Sequence, residues 1–537
     1  MELVKKIKDR IKRNGRNTRS FEGYKEFSWC CISTYILGLA AHGYCYLNGI
    51  FNHDSMLIFQ NDNEWKMKLG RFLTPLYREL RSPFTAPWLI GVLSLLWLSL
   101  AIYYLTKLFD MQNKLYITMV AGLFATNYSL TLLNATYLHD ADFYMASVFL
   151  LVHGSYLCVR YTYGFLPGGV SFAASMGFYQ ANFPIALIVL MLCFLKAALD
   201  NENWKCLLEK AGRMIGSAVI AFFTYKLGVW WFVKRQGISV DGEYNSITKV
   251  GDFAGTDIRQ LLRTTINYVY DFFVGENAYN LPRVRIATII LTIGAMIMLI
   301  ALLNRKRISL LNEVLAVLVV VMMPLALNSI YFISKGMSGN FHHLMIYPFC
   351  MWYFVCVFVV DYFICHIKDK YKEGKPATRV NLADKWLTRV VVFLLAIIVF
   401  NNVTFANDIY LKKSLESQAT LSLMTRVVDR MEQTEGYVPG QTEVVVVGEL
   451  YTSSLNRSRN GFERFNYFTG QMVPFSVTYY KTYEQYFQYI LGYPVKMVDL
   501  GIRNQYSGRE EVKGMPSFPA AGCTMMLDEK LIIKMGK

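Results

Sequence analysis

Apolar runs of about 20 residues, each long enough to cross a hydrocarbon core as a helix, recur along most of this chain. They cover 28–50, 84–108, 115–134, 143–159, 165–199 (long enough only for two short helices), 214–233, 283–303, 308–333, 344–365 and 386–405. Backbone polar groups inside lipid must be satisfied within the chain, and runs of this length do so as helices. The expectation is an α-helical polytopic membrane protein with about eleven spans. Composition agrees, with 18% charged residues against about 25% in an ordinary soluble domain.

The formal charge of +16 raises the possibility of a nucleic-acid partner. The basic residues, however, gather in short segments between the spans, at 1–27, 200–213, 304–307 and 366–385. This is the pattern of the positive-inside bias, and no nucleic-acid module accompanies it. The charge therefore reads as orientation in a cell membrane, with the N-terminus cytoplasmic and the C-terminus extracytoplasmic. Residues 1–27 form a basic cytoplasmic arm and 28–405 the membrane domain. Residues 406–537 form an extracytoplasmic tail, with helical periodicity over 407–435 and strand-like stretches at 443–448, 495–500 and 531–534. A small α/β C-terminal domain is expected there.

Three polar clusters fall on the expected outer side. The first follows the first span: Asn52-His53-Asp54, then Asp62, Trp65, Lys68 and Arg71. The second is the short acidic turn His139-Asp140-Ala141-Asp142. The third holds Lys335, His342 and His343. Carboxylates grouped at a membrane boundary point to chemistry on a polar substrate. Asp54, held just beyond a helix end, could take a proton from an acceptor hydroxyl. Asp140 and Asp142 could ligate a hard cation or orient substrate hydroxyls. Lys68, Arg71, Lys335 and the histidine pair could offset the charge of a phosphate leaving group. There is no GxxxxGK[ST] loop, GxSxG or HExxH in the chain, which leaves no sign of an ATP-driven pump, a serine hydrolase or a zinc protease.

The order of these motifs carries a resemblance. Asn52-His53-Asp54, the segment from Trp65 to Leu69-Gly70-Arg71-Phe72, the acidic turn at 139–142 and Gly177-Phe178-Tyr179-Gln180-Ala181-Asn182 resemble the Gtr-type, polyprenyl-phosphate-glucose-dependent glucosyltransferases of the GT-C superfamily. The likeness covers roughly residues 28–405. It implies a GT-C-like membrane domain that takes a sugar, glucose first of all, from a polyprenyl-phosphate carrier and places it on a surface or cell-wall polysaccharide outside the cell. It further implies Asp54, with His53 beside it, as the catalytic pair. With the polar clusters above, Asp62, Trp65, Lys68, Arg71, Asp140, Asp142, Gln180, Asn182, Lys335, His342 and His343 are the substrate-binding candidates, Lys335, His342 and His343 being a departure from the arginine that the resemblance leads one to expect for the donor phosphate. Some GT-C relatives bind a divalent metal (Mg or Mn) through an acidic pair in the second outer loop, which leaves a metal at Asp140 and Asp142 open. The implied partners are the lipid-linked donor, the polysaccharide acceptor, membrane lipid, a donor synthase and a small flippase. A lipid-linked polysaccharide polymerase or ligase, or a transporter, remains the alternative; transporters tend to show internal repeats, and none is visible here.

Overall fold

The computed structural model describes residues 19–536 apart from 60–61, 240–252, 254, 278, 306–307, 335–342, 372–376, 453–454, 456–460, 469, 472–474 and 478–479. The chain is a helical membrane protein. Its main helices are α1 Arg19–Asn48, α2 Asn63–Lys68, α3 Leu73–Arg81, α4 Pro87–Leu108, α5 Lys114–Ala125, α6 Tyr128–Tyr137, α7 Ala141–Arg160, α8 Phe165–Phe178, α9 Pro184–Leu199 and α10 Trp204–Phe232. There follow α11 Ile258–Phe273, α12 Pro282–Arg305, α13 Leu310–Leu327, α14 Cys350–Tyr371 and α15 Ala377–Glu432.

Among the described residues, nine helical stretches are long and apolar enough to cross a membrane. The expected count of about eleven had separated two spans within 115–159 and given 165–199 two helices. In the structure Lys114–Arg160 is a single 47-residue apolar stretch that breaks at Thr126-Asn127 and again at Leu138–Asp140. The first break has a local cause. Asn127 is extended (φ −54, ψ 139) and its side chain accepts from Ser129 N, starting a new helix. Helix α8 is only 14 residues long.

The buried share of an 18-residue apolar window within each stretch sorts centre from periphery. It is 67% for both Lys114–Arg160 and Gln180–Leu199, but 22% for Trp204–Gln236 and 33% for Pro282–Asn304. The exposed faces of α10 and α12 carry Phe222, Phe223, Leu227, Ile286, Ile290 and Ile293, side chains suited to lipid. Small residues let the central helices approach closely. A Cβ on Gly154 of α7 would lie 2.9 Å from Gly168 O, and one on Gly169 of α8 would lie 2.7 Å from Ser217 O of α10.

Helix α15 runs unbroken for 56 residues, joining the last apolar run to the helical start of the tail. The stretch from 377 to 432 contains neither Gly nor Pro, so nothing in it stops a helix. Beyond it a four-stranded sheet has the order β2-β1-β4-β3, with β1 Glu443–Val447, β2 Lys496–Met497, β3 Thr524–Leu527 and β4 Lys530–Lys534. Strand β1 pairs parallel with β2 and β4, and β3 pairs antiparallel with β4. Both sheet faces are covered, which is why β1 reads as four consecutive valines rather than as an alternation. Val444 and Val446 pack with Leu423, Met424 and Val427 of α15, while Val445 and Val447 pack with Tyr506 and Val512. Met56, only two residues beyond Asp54, is fully buried in the first of these cores. The tail domain is therefore built around the segment that follows the first helix.

Candidate functional site

The segment Leu69-Gly70-Arg71-Phe72 is held from three sides. Gly70 adopts φ +73, a conformation that favours glycine, and turns the chain between α2 and α3. Gln180 Nε2 donates to Leu69 O at 3.0 Å and to Tyr225 Oη at 3.1 Å, and the Tyr225 hydroxyl donates to Gly70 O at 3.0 Å. Phe72 stacks on Phe232 at 5.6 Å and lies so close to Gly228 that any Cβ there would meet its ring at 2.3 Å. Gln180 thus fixes the loop backbone with its amide nitrogen. Asn182 donates to Tyr144 O at 3.1 Å and to Ser147 Oγ at 3.3 Å, and so fixes the neighbouring wall.

This clamp presents Arg71 to an aromatic niche. Its Nη1 donates to Tyr144 Oη at 2.7 Å, its guanidinium lies 4.9 Å from the Tyr179 ring centre, and the two tyrosines stack at 4.0 Å. Among the described residues, Arg71 Nε is buried without a hydrogen-bond partner and Arg71 makes no ion pair. Burial works against its charge, but Tyr144, Tyr179 and Asp140 outweigh that and hold its pKa above the usual arginine value.

Beside it lies a buried ionic network. Asp140, with no solvent exposure, receives Lys66 on Oδ2 and Arg78 Nη2 on Oδ1 at 2.7 Å. Arg78 also binds Asp62, and Lys66 Nζ lies 3.6 Å from Asp62. Arg81 meets Asp142 Oδ1 at 2.5 Å. Arg78 is burdened by burial, yet Asp140 and Asp62 raise its pKa above the ordinary value. Four cations (Lys66, Arg71, Arg78, Arg81) therefore face three carboxylates (Asp62, Asp140, Asp142), an excess suited to an anion. The same pairing bears on the metal left open at Asp140 and Asp142. Both oxygens of Asp140 and one of Asp142 are engaged by Lys or Arg, and no group of three His, Cys, Asp or Glu stands together among the described residues. That donor set does not fit a divalent cation.

Asn52, His53 and Asp54 stand on the side facing the tail. His53 Nε2 is 3.4 Å from Asp54 Oδ2, and the Asp54 side chain is 22% exposed. Burial, then Lys413, depress the His53 pKa against the opposing pull of Asp54 and Glu416. The turn is tied to the tail, with Ser476 Oγ donating to Phe51 O at 2.9 Å and Asn52 Nδ2 to Gly470 O at 3.4 Å. Below it, buried Lys412 and Lys413 bracket Glu416 at 2.6 and 3.0 Å, and Lys413 Nζ reaches Asn52 Oδ1 at 3.4 Å.

The structure thus brings Asp62, Arg71, Asp140, Asp142, Gln180 and Asn182 into one region, with His53 and Asp54 on a neighbouring turn. Lys68 instead pairs with Glu64 at 2.7 Å on an exposed helix face, and Trp65 is 41% exposed on the same short helix. His343 lies apart, between the rings of Tyr279 (5.2 Å) and Phe468 (5.5 Å). Lys335 and His342 lie outside the described residues. Sequence reasoning missed Lys66, Arg78, Arg81, Lys412, Lys413 and Glu416. The one available signal was a run of basic residues interleaved with polar ones directly after Asp62, at 66, 68, 71, 78 and 81.

Neither a curated protein sequence nor a solved structure matches this chain. The model of one family, described as glucosyl transferase GtrII, matches residues 43–360, a span that takes in the Asp54 turn, the Arg71 niche, the ionic network and the Gln180–Asn182 turn. The chain is a member of the GtrII glucosyl transferase family.

Proposed function

We propose that this glucosyltransferase takes glucose from a polyprenyl-phosphate carrier and places it on a surface or cell-wall polysaccharide at the extracytoplasmic face, as a GT-C enzyme. The observation that carries this reading is Arg71: a guanidinium with a buried, unbonded Nε and no carboxylate partner among the described residues, fixed by Tyr144 and Tyr179 at the edge of a cation-rich network. A phosphate monoester is the kind of anion that a guanidinium fork holds. In the transfer, the acceptor oxygen bonds to the anomeric carbon as the bond from that carbon to the phosphate oxygen breaks. Asp54 takes the acceptor proton, His53 orients Asp54, and Arg71 stabilises the charge that develops on the departing polyprenyl phosphate. Asp62 and Asp140 hold Lys66 and Arg78 in place around that anion. Trp65, on the exposed face of α2, offers a ring on which the acceptor sugar can stack.

The test is turnover of labelled polyprenyl-phosphate-glucose by purified protein with acceptor glycan, for wild type, Asp54→Asn and Arg71→Gln. Wild type releases polyprenyl phosphate, Asp54→Asn loses about 100-fold or more in kcat, and Arg71→Gln loses kcat/KM by a similar factor. An Asp54→Asn enzyme with full turnover would sink the base assignment. A wild-type protein that consumes no prenyl-phosphate sugar would sink the whole reading.

A further inference from the structure

Between the Asp54 turn and the ionic network the protein has a cavity of about 160 Å³. Its wall is mainly apolar, made of residues such as Ile50, Phe51, Ile58, Phe84 and Ile90, with Ser55, Thr85 and His139 as the polar members. The first two are spent on local backbone, Ser55 Oγ on Asn52 O and Thr85 Oγ1 on Ser82 O. His139 is not spent. It is 4% exposed, and among the described residues neither ring nitrogen makes a hydrogen bond. Its Nε2 stands 3.3 Å from Asp140 Oδ1 without the alignment a hydrogen bond needs. Buried polar groups in native proteins are almost always bonded, so an imidazole left open on an apolar wall calls for a partner from outside the chain.

We infer that this cavity takes the isoprenoid unit next to the phosphate of the lipid carrier, with His139 donating an N–H to a phosphate oxygen. The inference rests on the function proposed above and adds where the lipid sits. Apolar cavities of about 150 Å³ accept a benzene-sized hydrocarbon, and a five-carbon isoprene unit is of that order. The position also selects the occupant. One wall, Ser55 to Phe59, follows Asp54 directly, and His139 adjoins Asp140 of the cation network. A chain seated here places its phosphate between the proposed base and the excess cations. The rim offers an entrance from the bilayer, since Phe84 is 65% exposed and Trp88, at the start of α4, is 54% exposed. A phospholipid acyl chain beside its own phosphate shares this chemistry, and the experiment separates the two.

Full-length protein in phosphatidylcholine nanodiscs is labelled with polyprenyl phosphate carrying a diazirine on the unit next to the phosphate. The expected label falls on peptides 50–59 and 84–90 and is displaced by unlabelled polyprenyl phosphate, but not by the same concentration of phosphatidylglycerol. Label elsewhere, or equal displacement by phosphatidylglycerol, overturns the assignment. Ile58→Trp, a change on a short surface turn, narrows the cavity; it raises the donor KM about tenfold and leaves kcat within about twofold. An unchanged KM with the label still in place also overturns it. Label in the cavity of a protein that transfers no glucose would sink the transfer reading and support the lipid slot. Turnover with the label elsewhere would sink the slot alone.

Discussion

The ionic network makes a strong quantitative prediction at Asp140. Replacing it with Asn keeps the shape but removes a charge that two cations share, Lys66 on Oδ2 and Arg78 on Oδ1. Asp140 has no solvent exposure, and the Lys66 and Arg78 side chains are 6% and 9% exposed. Water cannot replace what is lost. Asp62 remains as the only carboxylate joined to both cations among the described residues. Breaking one partner out of a buried pair costs about 3–5 kcal/mol, because it leaves an uncompensated buried charge. The exposed pair Lys68–Glu64 is the internal control: its side chains are 35% and 65% exposed, and such pairs contribute below about 1 kcal/mol. The assay is equilibrium unfolding in mixed micelles, comparing Asp140→Asn, Arg78→Gln, the double variant and Glu64→Gln. The double variant should cost less than the sum of the singles by about 2 kcal/mol or more, and Glu64→Gln should be nearly silent. An Asp140→Asn protein destabilised by less than about 1 kcal/mol, with additive singles, would refute the view that Asp140 is held by lysine and arginine.

Two further outcomes concern residues that pack against the tail, Lys413 beside the Asp54 turn and His343 apart from it. Lys413→Met removes the cation joining Glu416 to Asn52 and should lower kcat at least about tenfold, with donor KM within about twofold. Lys413→Arg should recover most of it, and equal rates for Lys413→Met and wild type would show that the Asp54 turn needs no such support. His343, whose pKa burial pushes down from 6.5 to about 4, gives a pH dependence of stability. Between those values the unfolded chain binds a proton that the folded chain does not, so stability is full above about pH 6.5 and falls as pH drops towards 4. The loss totals on the order of 3 kcal/mol; His343→Gln should flatten the slope of unfolding midpoint against pH between 7 and 4.5, and an unchanged slope would place the titration elsewhere.

Much of the architecture was legible because burial in lipid is a local demand on composition. A run such as 87–108 must be a helix whatever surrounds it, and Pro87 at its first turn marks the start. The β1 strand was legible for the same reason, as a valine run covered on both faces. The break at Asn127 was not, because an N-cap inside a continuous apolar run leaves hydropathy nearly unchanged. Nor was the continuity of α15, because a change in polarity near residue 405 looks like a boundary when the helix simply runs on from an apolar stretch into a more polar one.

The candidate site divides in the same way. By itself the sequence determined that carboxylates and cations crowd the ends of the spans and that Asp54, Arg71, Asp140 and Asp142 stand among them, since charge is excluded from the hydrocarbon core and collects at its edges. Which charge neutralises which was decided only by the tertiary structure. Lys66 and Asp140 are 74 positions apart, and Asn52 and Lys413 are 361 apart. Their pairing depends on how α2, α3 and α15 pack, and no local periodicity encodes that. Among the described residues, the same packing leaves Arg71 without a carboxylate and His139 without a hydrogen bond, because a buried charge or imidazole is satisfied or left open by its neighbours in space rather than by its neighbours in the chain.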